Sequence, residues 1–132
     1  MFDSLDIGAS ALMAQRTRMN CIAGNMANLN TLCNQKGEPI PYRRRIAFFQ
    51  KGTADGRPGV HVASVEEDPS PFQMRHDPGN KFADKDGNVK YPNIDMATEY
   101  VDMLEASRAY EANITMMETT KAMINSSLRL IA

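Results

Sequence analysis

Apolar residues recur at heptad spacing at both ends of this chain and give way to a different pattern in its middle. From Met96 every seventh residue is apolar (Met96, Met103, Tyr110, Met117, Ile124, Ile131), and positions four further on add Tyr100, Ile114 and Leu128. This spacing predicts one long helix from Asp95 to Ala132 with an apolar stripe, and its 3.5-residue average favours wrapping against a partner helix. Leu5, Leu12, Met19 and Met26 repeat the pattern between Ser4 and about Asn30, with Ala9, Ile22, Ala23 and Leu29 beside them. A second amphipathic helix is expected there, capped by Ser4 or Asp6 and ended by an Asn-rich run that leads to Gly37 and Pro39.

The stretch between them, residues 37–92, holds all seven prolines and six of the eight glycines, which predicts short strands and turns. Tyr42 to Gln50 alternates Tyr42, Arg44, Ile46 and Phe48 against Arg43, Arg45, Ala47 and Phe49, and Val60 to Val62 resumes the period of two after a turn-rich GTADGRPG. Phe72 to Arg75 and Val89 to Tyr91 are further candidate strands, and DPGN and DKDGN read as turns. The expected fold class is therefore α+β, with long terminal helices forming an antiparallel coiled coil and a small β-hairpin insert between them. Residues 1–35 and 93–132 are the expected coiled-coil domain and residues 36–92 the β-rich insert.

Length arithmetic adds a requirement. At 1.5 Å per residue the two helices would be about 40 and about 55 Å long, against a radius of gyration of about 14 Å for a compact chain of this size. The longer helix overhangs any body its own chain can build, and the surplus apolar surface predicts assembly with other chains. The interface residues that follow are Leu12, Met19, Ile22 and Met26 on one helix and Met103, Tyr110, Ile114, Met117, Ile124 and Leu128 on the other. Polar residues near the seam, including Asn25, Asn28, Ser107, Asn113 and Lys121, would fix its register.

Composition narrows the function class. A net charge of −1 and a pI near 6.1 argue against a nucleic-acid partner, because phosphate recognition needs basic excess on one face. No apolar run approaches the roughly 18 residues of a membrane span, and MFDSLDIGAS has acids where a cleavable secretory signal needs bases. No membrane insertion is expected. Cys21 and Cys33 stand eleven residues apart with no CxxC pair, and read as unpaired thiols. Ten methionines, most of them in the two ends, suit adaptable helical interfaces.

The candidate chemistry is thin. Asp84-x-Asp86-x-Asn88 opens like a calcium loop, but Val89 and Asp95 stand where such a loop needs glycine and a bidentate glutamate, so a solvated turn is expected. His61 and His76 match no ligand spacing. The run Arg43-Arg44-Arg45 alternates faces on a strand and reads as a solvated or interface strand; if it has a role, that role is to salt-bridge an acidic face of a neighbouring subunit. Asn113-Ile114-Thr115 and Asn125-Ser126-Ser127 match the glycosylation triplet but fall inside the predicted helix. No nucleophile elbow, phosphate loop or HExxH motif is present, so no catalytic residue and no cofactor or metal is expected.

Residues 8–31, GASALMAQRTRMNCIAGNMANLNT, resemble the opening signature of the bacterial flagellar rod and hook proteins, through Ala14, Gln15, Arg18, Met19, Ile22, Ala23, Asn25, Ala27, Asn28 and Thr31. PYRRRIAFF from Pro41, DPGNKFADKDGNVKYPNID from Asp77 and EYVDMLEASRAYEAN from Glu99 resemble the proximal rod members of that family. Cys21, Cys33 and Tyr100 depart from its usual residues. The resemblance implies a non-enzymatic subunit exported without a cleaved signal by the flagellar export apparatus. It would polymerise in the periplasmic rod of the basal body, the drive shaft that transmits torque. Its partners would be copies of itself, the other proximal and distal rod subunits and an adaptor beside the export gate. The terminal helices would form an inner tube and the β insert an outer layer. The alternative is a soluble helical adaptor or export-chaperone-like module that uses the same stripe reversibly.

Overall fold

The computed structural model describes residues 2–132. Helix α1 (Phe2–Ala27) is followed by strands β1 (Arg45–Lys51), β2 (Val60–Glu67), β3 (Gln73–His76) and β4 (Asn88–Tyr91), and then by helix α2 (Met96–Ile131). The class is α+β. Each predicted element is present, with shifted bounds.

The ends of the helices are set by local side chains. Asp95, in extended backbone, accepts from the backbone N–H of Ala97 at 3.3 Å and from the Thr98 hydroxyl at 2.8 Å, which satisfies donors that the first turn leaves free. At the end of α1, the Asn28 amide donates back to the Gly24 carbonyl at 2.8 Å, and its oxygen accepts from Thr31 at 3.1 Å. The helix therefore stops at Ala27 and Asn28 to Asn30 form a turn, slightly short of the predicted end.

Strands β1 and β2 pair antiparallel from Arg45 opposite Glu67 to Lys51 opposite Val60, with a bulge at Phe48/Phe49. Strands β3 and β4 make a second two-stranded antiparallel sheet, from Gln73 opposite Tyr91 to His76 opposite Asn88. The strand expected from Tyr42 starts only at Arg45, because residues 42–44 find other partners. The Tyr42 N–H donates to the Thr31 carbonyl at 3.1 Å, and the Arg44 N–H donates to the Asn93 side chain at 2.9 Å. In the DKDGN turn the Asp84 carboxylate accepts from the N–H groups of Asp86 and Asn88 at 2.9 and 2.8 Å, an Asx turn that joins back to β4.

The hairpin leans on α1 through a close approach. Gly59 has φ +140°, a conformation side chains rarely adopt, and a Cβ there would lie 2.6 Å from the Ser10 hydroxyl. That hydroxyl accepts from the Val60 N–H at 3.2 Å, so the start of β2 sits on the helix.

The two helices pack on each other along much of their length, and the contacts fall along α2 as they rise along α1. Gly8 faces Met117, Arg18 reaches Glu105, Met19 touches Ser107 and Asn25 reaches Glu99. The fully buried apolar set is small: Ala14, Ile22, Val89, Ile94 and Ala106. By 1.5 Å per residue α2, with 36 residues, is about 54 Å long and α1, with 26, about 39 Å. No helix among the described residues is long and apolar enough to cross a membrane.

Candidate assembly interface

Two features define the candidate site: a polar joint that fixes the insert on the helices, and an apolar helical face beyond what the chain covers.

The joint is centred on Asn25, 1% exposed, and Glu99, fully buried. The Asn25 amide donates to the Arg45 carbonyl, and its oxygen accepts from the Arg45 N–H, both at 2.9 Å. The same amide donates to Glu99 at 3.3 Å, and the Tyr42 hydroxyl donates to the Asn25 oxygen at 3.4 Å. Arg44 supplies the cation: its Nε donates to Glu99, and its terminal nitrogens reach Asp68 at 3.4 Å and Asp102 at 3.3 Å. Burial works against the charged guanidinium, but the bonds to Glu99 and Asp68 and the charges of Glu99 and Asp102 outweigh it and hold the Arg44 pKa above its ordinary value. A buried carboxylate is tolerated only with such a partner.

Arg43 donates to the carbonyls of Asp68 and Ser70 at 2.9 Å and stacks 4.2 Å from the Phe72 ring centroid. Arg43 and Arg44 are thus neither solvated nor free for a neighbouring subunit, because both are engaged within the chain; Arg45 is exposed. Asn93 completes the joint by donating to the same two carbonyls at 3.1 Å.

The predicted interface residues fall into three groups. Ile22 and Asn25 are buried within the chain. Leu12, Met19, Met26, Met103, Tyr110, Ile114, Met117 and Ile124 are half-buried on the two helices, and Asn28 is half-buried in the turn that closes α1. Leu128 is exposed. Leu5, Leu12, Ile114, Met117 and Ile124 line an open apolar groove of about 550 Å³, with Glu118 and Lys121 at its rim. The face of α2 turned toward α1 carries the buried Glu99 and Ala106, with Asn113, Thr120 and Ser127 at the same spacing, and takes in Met117 of the Met96 stripe, which meets Gly8. Small and polar residues there allow close approach, and the larger apolar residues flank the junction.

What lies outside is extensive. At the start of α2, Met96, Tyr100, Val101 and Leu104 are exposed; at its end, Met123, Leu128, Leu130 and Ile131 are, the last two at 88% and 83%. Sequence periodicity identified Met96, Tyr100, Leu128 and Ile131 as members of the stripe but missed Val101, Leu104, Met123 and Leu130, which fall off the heptad positions. It also missed Arg44 and Glu99 as a pair, because 55 residues separate them.

Residues 5–32 match the model of the flagella basal body rod protein family, and residues 85–130 match the C-terminal model of the flagellar basal body rod FlgEFG proteins. The flagellar basal-body rod protein FlgC of Salmonella typhimurium is 41% identical over 98% of this chain and 97% of its own length. The FlgC proteins of Bacillus subtilis (37% identical; 98% and 97% covered) and Borreliella burgdorferi (38% identical; 99% and 97% covered) are similar to the same extent. The chain belongs to the FlgC family of flagellar basal-body rod proteins. The FlgC matches run through the β insert as well as the helices, so the whole fold is shared, and a structural rod subunit is the role that membership supports, in place of a soluble adaptor. The two family models fall on α1 with its closing turn and on β4 with α2.

Proposed function

We propose that this FlgC-family chain polymerises through its terminal helices into the periplasmic part of the rod and transmits torque there by helix-to-helix packing. The observation that carries the reading is the apolar face of α2 that α1 does not cover. Its exposed residues form one apolar group at each end of the helix, and packing against copies of itself and other rod subunits would bury them. In this reading α1 and α2 form an antiparallel coiled coil, and residues 1–35 and 93–132 make the inner tube. Residues 36–92 stand outside it, held at a fixed angle by the Asn25–Glu99–Arg44 joint. Seams of this kind resist twist because sliding one helix by a turn would misplace every side chain seated between its neighbours. Export would proceed through the flagellar apparatus with no cleaved signal, and neighbours would include the other proximal and distal rod subunits and an adaptor beside the export gate. Leu12, Met19, Met26, Met103, Tyr110, Ile114, Met117, Ile124 and Leu128 supply the packing, and Asn25 and Asn28 fix its register.

The test is complementation of a strain lacking this chain with Tyr110→Asp or Met117→Asp. A carboxylate placed in an apolar seam has no partner. The expected result is loss of swimming and of rods in purified basal bodies, with the variant chain still exported. Normal swimming by both variants would overturn the reading.

A further inference from the structure

One buried side-chain atom among the described residues has no hydrogen-bond partner, the Oε1 of Gln15. Gln15 stands seven residues from both Gly8 and Ile22 on α1, and so shares their face of the helix. Gly8 meets Met117 and Met19 meets Ser107, which places the stretch of α2 opposite Gln15 between Ser107 and Met117. An acceptor buried there without a donor weakens closure of the seam at that level.

The same level divides α2. Before it, Glu99 and Ala106 are buried, and the hydroxyls of Thr98 and Ser107 donate to the Asp95 cap and to Met19 Sδ. Beyond Ala106 no residue of α2 is buried. Four side chains there donate back to a carbonyl one turn earlier: Asn113 to Ala109 at 2.9 Å, Thr115 to Glu111 at 3.1 Å, and Thr119 and Thr120 to Thr115 and Met116 at 2.9 Å. Bonds of this kind compete with the helical ladder and bend it, and Asn and Thr are weak helix formers. Against this segment, Leu5 and Leu12 face Ile114, Met117 and Ile124 across the open groove of about 550 Å³. The amino-terminal half of α1 is held from its other side, since Ser10 accepts from the Val60 N–H at 3.2 Å.

We propose that α2 bends between Asn113 and Thr120, and that its end, from there to Ile131, is an arm that leaves α1 as a unit while the Asn25–Glu99–Arg44 joint stays shut. Gln15 sets how readily the arm opens, because its oxygen gives up water when the seam closes and gains no donor in return. The inference concerns the free chain. The rod reading supplies its use: an open arm uncovers Leu5, Leu12 and Met117 for a neighbour without disturbing the insert.

The experiment uses the purified full chain in a Cys21→Ser, Cys33→Ser background, with spin labels on Met13→Cys and Met123→Cys and, as a control, on Met13→Cys and Tyr100→Cys. All three labelled positions are exposed, so the labels leave the junction intact. The expected result is two distance populations for the first pair and one for the control. Adding Gln15→Met, an apolar side chain of similar length, lowers the open population about tenfold. Amide hydrogen exchange on the unsubstituted chain gives a readout that needs no label. Residues 113–131 exchange faster than residues 96–109, and Gln15→Met slows the first stretch about tenfold without changing the second. A single distance for Met13 and Met123, or exchange at one rate along α2, overturns the arm. Two populations that Gln15→Met leaves unmoved overturn the part assigned to Gln15. The rod reading is tested separately, by swimming and rod formation with Tyr110→Asp and Met117→Asp, and stands or falls without regard to the arm.

Discussion

The side-chain amide of Asn25 holds the backbone of Arg45 at two points, donating to its carbonyl and accepting from its N–H, each at 2.9 Å. A helix side chain thereby takes the place of a neighbouring strand at the first residue of β1. Only Asn, or the longer Gln, offers a donor and an acceptor side by side in this way. Asn25→Ala leaves both backbone groups of Arg45 without their partner in a site that is 1% exposed, and the expected loss is about 3 kcal/mol. Urea unfolding of the purified chain measures it; Asn25→Asp, which keeps the acceptor and places a second carboxylate beside Glu99, is expected to be no better than Ala.

The Glu99–Arg44 pair predicts an asymmetry between its two members. Glu99→Ala removes the buried acceptor, but Arg44 keeps Asp68 and Asp102 and can turn toward solvent. Arg44→Ala leaves Glu99 buried with only the Asn25 amide, an uncompensated charge. The arginine substitution is therefore expected to be the more harmful, at about 3 to 5 kcal/mol. Arg44→Ala, Glu99→Gln in one chain should recover part of that loss, because the neutral amide needs no cation. Denaturant midpoints of the three variants decide the order.

Gly8 predicts a coupling between the helices. A Cβ at this position would lie 2.6 Å from Met117 Cγ. Gly8→Leu gains about 1 kcal/mol of helix propensity but overpacks the junction, for a net loss of about 1 to 2 kcal/mol. With Met117→Ala the nearest obstruction is gone and the flexible end of Met116, 3.1 Å from that Cβ, is left to give way, so the same Gly8 substitution should become neutral or stabilising. Additive effects in the double-mutant cycle would show that Gly8 and Met117 are not in contact.

Asp68 predicts a dependence on pH. The Ser70 hydroxyl and N–H bond to its carboxylate, and with the Arg44 guanidinium they hold its pKa below the ordinary value against the opposing effect of burial. The folded pKa lies below the unfolded one, so the stabilisation is complete above the unfolded pKa. It is lost as pH falls through the usual carboxylate range toward the folded value. Unfolding measured from pH 7 down to pH 3 should therefore show an acid-side loss of stability that is smaller in Asp68→Asn, while the variant is less stable than the parent at pH 7.

Heptad spacing located both helices to within a few residues, and turn residues located all four strands, because those signals are local. The joint was only half legible. Asn25 stood out as a polar residue beside an apolar stripe, which is costly unless it has a defined partner. That its partners are the backbone of Arg45 and the carboxylate of Glu99 depends on how 20 and 74 residues of intervening chain are folded. For the same reason the arginine run reads in sequence as a solvated or interface strand, when Arg43 and Arg44 serve their own chain. The surplus apolar surface was legible from length alone, since no packing arrangement lets a helix of 36 residues be covered by one of 26.

The distance in sequence between the two halves of the helical junction also governs when the protein can fold. Arg18 and Glu105 are 87 residues apart, Met19 and Ser107 are 88, and Arg44 and Asp102 are 58. A chain emerging from its amino end makes α1 and both sheets before Glu99 exists to meet Asn25 or Ser107 to meet Met19, and contacts of such long range form late. Until the final third arrives, Ile22 and Met19 remain open to other chains. Completion of this molecule, and with it the readiness of its outer surfaces to receive a neighbour, waits on its last helix.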